Sequence, residues 1–153
     1  MEIKASTFFT KEQQVRILDA IKEAERATSG EIRVHIETWL EGDVLDRAAW
    51  IFRKIGMHKT EKRNGVLFYL AVRNKTFAII GDAGINSKVP GDFWDSIRDI
   101  VRANFSENKF TEGLVEGIKL AGIQLKEHFP FGKDDVNELP DEISFEDDNT
   151  ARQ

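Results

Sequence analysis

The feature that most constrains the fold of this chain is an uninterrupted apolar run, "VLFYLAV", at residues 66–72. A strand with one face in water alternates apolar and polar residues, so a run without alternation predicts a central strand covered on both faces. "RNK" at 73–75 allows a tight turn, and "TFAII" at 76–80 then returns as a hairpin partner. The sequence therefore predicts a hairpin inside a layered structure.

Residues 31–37, "EIRVHIE", predict one more strand because apolar and polar residues alternate strictly along them. The alternation indicates a strand with one less buried face, or a strand near a sheet edge. Apolar residues at helical spacing predict four helices, and the first two begin at Thr10, in a capping box with Gln13, and at Asp43. The other two predicted helices cover residues 92–105 and 111–128.

The predicted order of elements is α–β–α–β–β–α–α. A helical crossover joins the first two strands, which makes them parallel if they share a sheet. The hairpin makes the third strand antiparallel to the second. We therefore expect an α/β fold, a three-layer α/β/α sandwich around a small mixed sheet with a parallel crossover and a central hairpin.

The charge of the chain is concentrated at its end. Residues 133–153 hold eight acidic and two basic side chains, whereas the whole chain has 27 acidic and 22 basic ones, so the remainder is close to neutral. Low apolar density and two prolines near this segment predict an acidic, largely disordered tail at 133–153, in which only "EISF" touches the body. Residues 1–132 are expected to form one globular domain.

Composition excludes several classes of protein. The chain has no cysteine, which rules out disulfides, zinc–thiolate sites and cysteine nucleophiles. No apolar run approaches the ~20 residues of a membrane helix, and the first residues lack the apolar core of a signal peptide. The basic stripe of a nucleic-acid binder is also missing. We expect a cytoplasmic monomer that neither binds nucleic acid nor inserts into a membrane, with a possible protein partner.

The strand order predicts a site at one edge of the sheet. The starts of the first two strands and the end of the third lie at that edge, which brings together "SGE" at 29–31, "KRNG" at 62–65 and "GDAGIN" at 81–86. "PGDFWD" at 90–95 follows closely enough to join them. Carboxylate and amide oxygens in flexible loops suit a hard cation, with calcium favoured and magnesium possible. The predicted metal ligands are Glu31, Asn64, Asp82, Asn86, Asp92 and Asp95.

Each predicted ligand also has a purely structural explanation. Asp82 can form a local turn, and Asn64 stands before a glycine in a common turn pair. Asp92 can be a helix N-cap with Asp95 in the reciprocal capping position. Glu31 can pair with a neighbouring cation. The prediction of a metal site therefore depends on the set of residues rather than on any one of them.

A basic loop leads into the same edge of the sheet. Its residues His58 and Arg63 are candidates to bind an anion such as phosphate, with a solvated loop as the alternative. His35 is expected to be a surface or packing histidine. Ser29 has no evident general base, so the sequence supplies no defined nucleophile.

At these residues the chain resembles the TPM-domain family, which includes a thylakoid lumen protein and many bacterial proteins. The resemblance lies in "TSGEIRVHIE", in "KRNGVLFYLAVRNKTFAIIGDAGI" and in the two helices that follow, over roughly residues 5 to 130. It implies an α/β/α sandwich, a divalent-metal cleft that usually takes calcium, and phosphatase activity in some members.

The chain departs from the usual pattern of that family in one turn. The common turn is close to Gly-Tyr-Gly-Leu-Glu, whereas this chain has Asp82 and Asn86 in that region, which is similar to a stand-alone cytoplasmic bacterial branch. Three functions stay open on the sequence. The first is a divalent-cation binding or interaction module, the second is a metal-dependent acid phosphatase, and the third is an assembly or chaperone-like factor that uses a helical face and the acidic tail.

Overall fold

A computed structural model describes residues 3–132, 138–139 and 141–147. Strong local signals fix several element boundaries: Thr10 and Gln13 form the predicted capping box, and the Asp43 carboxylate accepts a hydrogen bond from the Asp46 amide at 3.0 Å. In chain order the elements are α1 (Ala5–Phe8), α2 (Lys11–Ala27), β1 (Glu31–Glu37), α3 (Val44–Lys54), β2 (Gly65–Ala71), β3 (Thr76–Gly81), α4 (Ala83–Asn86), α5 (Asp95–Ser106), α6 (Phe110–His128) and β4 (Ile143–Glu146).

The four strands form one mixed sheet in the order β3-β2-β1-β4. β1 and β2 are parallel, with Glu31 beside Gly65, so the predicted crossover is confirmed. β2 and β3 are the antiparallel hairpin predicted from the apolar run. β4 is parallel to β1 and closes the other side of the sheet.

Helices cover both faces of the sheet, which confirms the three-layer sandwich. One face packs against α2, α5 and α6, and the other face packs against α3. Successive side chains of β2 enter opposite cores: Phe68 and Leu70 belong to the first, Leu67 and Tyr69 to the second. The strand has no polar position because both of its faces are buried. None of the helices in the described ranges combines the length and apolar character needed to cross a membrane.

The predicted start of the third long helix is wrong. Asp92 does not cap it: α5 begins at Asp95, and Trp94 occupies the N-cap position without a side-chain cap bond. The Asp95 amide donates instead to the Asp92 carbonyl in a turn. Phe93 and Trp94 are both buried, and their rings contact each other edge to face. Packing of these rings holds residues 91–94 in a turn, so the helix begins only at Asp95.

The prediction that β1 has one less buried face is wrong, whereas the alternative, a strand near a sheet edge, agrees with its position beside the edge strand β4. All seven of its residues are buried. The reason is tertiary, because β4 covers its open side and the polar side chains of β1 find partners inside the molecule. Alternation in the sequence shows only that every second side chain is polar. In β1 the polar side chains are bonded to other residues of the protein rather than to water.

The segment "EISF" contacts the body as expected, and it does so as part of a strand, because residues 143–146 form β4. A largely disordered tail stays a prediction. Ile143 and Phe145 pack against the larger core. Four residues are too few for hydrophobic periodicity to predict a strand. Of the tail, residues 133–137, 140 and 148–153 lie outside the described ranges, and the boundary of the domain at residue 132 stays a prediction.

Candidate functional site

Three backbone hydrogen bonds bring the predicted segments together at one edge of the sheet. The Glu31 amide donates to the Asn64 carbonyl at 3.2 Å, and the Asp82 amide donates to the Gly65 carbonyl at 3.0 Å. The Gly84 amide donates to the Arg63 carbonyl at 2.9 Å. The convergence expected from strand order is therefore present, and loops from β1, β2 and β3 form one surface.

Gly84 allows the closest approach at this edge. A Cβ atom there would lie 2.0 Å from the Lys62 carbonyl oxygen and 2.6 Å from the Arg63 carbonyl oxygen. No side chain fits into that space, so the backbone of α4 packs directly on the loop before β2. This contact fixes the position of Asp82, the residue that precedes α4.

Asp82 holds a cationic group at the centre of the edge. Its carboxylate accepts from Arg63 Nε at 2.7 Å and from a terminal Arg63 nitrogen at 2.9 Å, and it also accepts from the Ala83 amide. The side chain of Asp82 is 6 % exposed and that of Arg63 is 48 % exposed. The hydrogen bonds and charge of Asp82 raise the pKa of Arg63. Arg63, predicted to bind an anion, thus pairs with a predicted metal ligand.

Asn64 presents a buried oxygen with no hydrogen-bond partner in the described structure. Its residue is 1 % exposed, its amide nitrogen Nδ2 donates weakly to Ser29 at 3.4 Å, and its Oδ1 is unpartnered. Leaving a buried acceptor unpaired costs about 1–3 kcal/mol. An unpaired amide oxygen at the meeting point of three loops is therefore a place where an added electropositive group would be stabilised.

Glu31 turns away from Asp82 toward the tail. Its two carboxylate oxygens accept from the backbone amides of Glu138 and Leu139, at 2.9 and 2.8 Å. Burial raises the pKa of Glu31, these two hydrogen bonds oppose the shift, and the nearby charges of Glu138 and Asp141 add to it. Glu31 therefore belongs to the contact between the domain and its tail.

Two carboxyl groups, those of Glu25 and Asp141, interact at this contact. Glu25 Oε2 accepts from the Ile32 amide at 2.8 Å. Burial, followed by the interaction with Asp141, raises the pKa of Glu25 to about 9, so that Glu25 keeps its proton at neutral pH. No local pattern in the sequence signals this pair, because its members are separated by more than a hundred residues.

The remaining predicted ligands lie in other surroundings. Asn86 Oδ1 accepts from the indole nitrogen of Trp94 at 3.3 Å, and its amide nitrogen donates to the Gly81 carbonyl at 3.0 Å. Asp95 pairs with Arg98 one helical turn away, at 2.6 Å. Asp92 lines a separate cavity of about 240 Å³ next to His128. Asn86 also stays next to Asp82, because its backbone amide donates to the Asp82 carbonyl at 3.1 Å, but its side chain is bonded to Trp94 and Gly81.

The predicted metal ligands do not form one metal-binding group. Over the ranges that the structure describes, no group of three or more His, Asp or Glu residues is placed to hold a metal ion. His58 is half-buried, and its Nδ1 makes no hydrogen bond with the residues described. The structure thus joins the loops as predicted but does not gather the six oxygen ligands into one cluster.

The polar face of β1 forms a buried network on the α3 side of the sheet. Glu37 is fully buried and accepts from Arg47 Nε at 3.0 Å and from the Tyr69 hydroxyl. His35 Nε2 lies 3.7 Å from Glu37, and its Nδ1 bonds the Ser144 hydroxyl at 2.6 Å. Burial alone would raise the pKa of Glu37, but hydrogen bonds with His35, Arg47 and Tyr69 lower it to about 2.

Comparisons with known proteins agree with this architecture. BA42 from the psychrophilic bacterium Bizionia argentinensis is 50% identical, and the match covers 92% of this chain and 97% of that one with a TM-score of 0.87. The N-terminal domain of a P. gingivalis protein is 19% identical over 81% of this chain and 80% of its own, with a TM-score of 0.66. The N-terminal domain of cg2496 from Corynebacterium glutamicum is 11% identical over 88% and 79%, with a TM-score of 0.61.

The last two similarities support the fold alone. No match was found among curated proteins. The model of the TPM domain matches residues 3–123, which is most of the described structure and includes all three loops of the sheet edge. The chain therefore belongs to the TPM-domain family.

Proposed function

We propose that this protein is a binding module that takes up a divalent cation, calcium in preference to magnesium, with Asp82 as its principal ligand. The observation that carries the proposal is the Asp82–Arg63 pair. A nearly buried carboxylate is held in place by the backbone, while the guanidinium it binds is half-exposed. Arg63 is a replaceable positive charge at a fixed negative one.

Exchange requires only that the side chain of Arg63 rotates into solvent. The backbone of Arg63 is held by the hydrogen bond from Gly84, so the loop keeps its shape when the side chain leaves. Both carboxylate oxygens of Asp82 then accept the cation, and Asn64 offers an unpaired amide oxygen from the neighbouring loop. Backbone carbonyls and water complete the shell, as is usual for calcium.

The chemistry of this ligand set favours calcium and a modest affinity. Calcium accepts six to eight oxygens in flexible geometry, whereas magnesium requires a near-ideal octahedron and loses water reluctantly. The site offers a single carboxylate and therefore little negative charge, and Arg63 competes with the cation for that carboxylate. We therefore expect dissociation constants on the order of 10⁻⁴–10⁻³ M, the range of weak calcium modules.

Calcium titration of the uniformly ¹⁵N-labelled protein tests the proposal. Saturable shifts are expected at amides of residues 62–65 and 81–86, and weaker shifts of the same amides are expected with magnesium. Asp82→Asn should abolish them. Arg63→Gln should tighten binding several-fold, since it removes the cation that competes for the Asp82 carboxylate.

The matched control is Arg98→Gln, which removes an exposed arginine from a carboxylate on α5. It should leave calcium affinity unchanged. Unshifted amides at millimolar calcium would rule out the proposal, and weaker binding by Arg63→Gln would show that Arg63 assists the cation rather than competing with it.

A further inference from the structure

The tail completes the sheet by pairing with an edge that the rest of the domain leaves open. β4 runs parallel to β1 from Val34 beside Ile143 to Glu37 beside Glu146, and the Thr38 amide donates to the Glu146 carbonyl at 3.0 Å. The TPM domain match ends at residue 123, before this strand. Without the tail, β1 would present unpaired backbone groups, and such an edge is a template for an added strand.

Side chains give this edge a specific chemistry. On the α3 face, Arg33 pairs with Glu142 at 2.6 Å, and the Arg33 side chain is 8 % exposed while that of Glu142 is 56 % exposed. On the other face, Ile143 and Phe145 pack against the larger core. A segment that suits the edge therefore carries a carboxylate for Arg33, followed by apolar residues at alternate positions.

The tail satisfies this edge incompletely. Arg33 Nε is buried and makes no hydrogen bond with any described residue, although the terminal nitrogen of the same guanidinium bonds Glu142. A segment with a further acceptor near Arg33 would therefore make better contacts.

We propose that the β1 edge is a docking site for an extended acidic segment of another protein, and that residues 141–147 are its resident intramolecular occupant. The partner adds a strand beside β1, places a carboxylate against Arg33 and inserts apolar residues where Ile143 and Phe145 lie. The tethered tail competes at a millimolar effective concentration, so only a segment with better side-chain contacts displaces it. This inference does not depend on cation binding.

The test uses the full chain with a weakened tail and a peptide added in trans. In Ile143→Asp/Phe145→Asp, the two apolar anchors of β4 are lost and β1 is unchanged. The ¹⁵N-labelled variant is titrated with an unlabelled peptide of the sequence ELPDEISFED, residues 138–147. We expect saturable shifts at amides of 31–38, and no comparable shifts in the wild-type chain, whose own tail occupies the edge.

Two altered peptides distinguish specific docking from general stickiness. A peptide with Glu142→Lys should bind about tenfold more weakly, because it loses a charge-assisted hydrogen bond and repels Arg33. A peptide with Ile143→Asp and Phe145→Asp should not bind, because it lacks the two side chains that pack against the larger core. Equal binding of all three peptides, or binding of none, would overturn the proposal.

The remaining outcomes are also decisive. Amide shifts of residues outside 31–38 and 138–147 report whether the variant keeps its fold. If it does not, Ser6→Ala/Glu142→Gln replaces it, since that variant removes only polar anchors of the tail, at Asp147 and Arg33. If the wild-type chain instead forms dimers by exchanging tails at millimolar concentration, the occupant is a second copy and the proposal is wrong.

Discussion

Asp82 and Glu25 show how differently two carboxyl groups behave in one domain. The Asp82 carboxylate is bound by a guanidinium and by a backbone amide. Glu25 is half-buried beside Asp141 and keeps its proton at neutral pH, because its pKa is raised to about 9. The first carboxyl is suited to exchange one cation for another, and the second responds to pH.

Glu25→Gln should stabilise the protein at neutral and alkaline pH. The folded-state pKa of about 9 exceeds the ordinary value of 4.5, so the folded form binds more protons in that window and stability falls as pH rises through it. One such group contributes a slope of at most about 1.4 kcal/mol per pH unit. Glutamine keeps the hydrogen bond from the Ile32 amide without titrating. Urea denaturation at pH 5, 7 and 9 measures the slope, and an unchanged slope in the variant would refute this account.

Arg47→Met should destabilise the domain by about 3–5 kcal/mol, because it leaves the fully buried Glu37 carboxylate without its cation. Tyr69→Phe, which removes a single hydrogen bond to the same carboxylate, is the graded comparison and should cost about 1 kcal/mol. Thermal unfolding of both variants measures the difference. A loss below 1 kcal/mol for Arg47→Met would mean that Glu37 is stabilised by other groups.

Short elements carry the geometry of the predicted site. α4 has only four residues, yet it holds Asp82 at its N-cap and joins the sheet edge to α5 through the Asn86–Trp94 hydrogen bond. Trp94 also covers β3, since a Cβ atom on Gly81 would meet its ring at 2.3 Å. The loop "GDAGIN" is therefore a packed turn with a capping carboxylate.

Gly84→Ala should disturb this edge, because a Cβ atom would meet two backbone carbonyl oxygens of the preceding loop. We expect a loss of about 1–3 kcal/mol, as for other overpacked sites, together with amide shifts at residues 62–65. Gly91→Ala is the matched control: nothing lies within 4 Å of its Cβ position. Equal stability of the two variants would contradict the close packing of α4 on the loop.

The pH dependence of the whole molecule combines opposed contributions. Glu37, with a pKa near 2, adds stability that is present above pH 4.5 and is lost as the pH falls toward 2. Glu25 and Glu31, with raised pKa values, add stability at low pH that is lost as the pH rises. From these groups we expect maximum stability near pH 5. A denaturation midpoint that rises steadily from pH 5 to 8 would contradict the expectation.

The sequence by itself determined the layered architecture and the meeting of three loops at one edge of the sheet. The apolar run at 66–72 predicted a doubly covered strand, and the crossover predicted parallel pairing. Together they brought residues 62–65 and 81–86 to one edge. These predictions were correct because side-chain periodicity and chain connectivity are properties of the sequence itself. Both can be read without knowledge of any tertiary contact.

Only the tertiary structure decided which polar groups meet. Arg63 binds Asp82, and the tail captures Glu31, through contacts across 19 and 107 residues that no local pattern encodes. The same holds for β1, whose polar face looks solvent-exposed in sequence but is buried by β4 and α3. Calcium binding, phosphatase activity and a cytoplasmic location stay predictions. Alternation in a sequence marks where polar atoms point, whereas the packed chain determines whether water or another residue satisfies them.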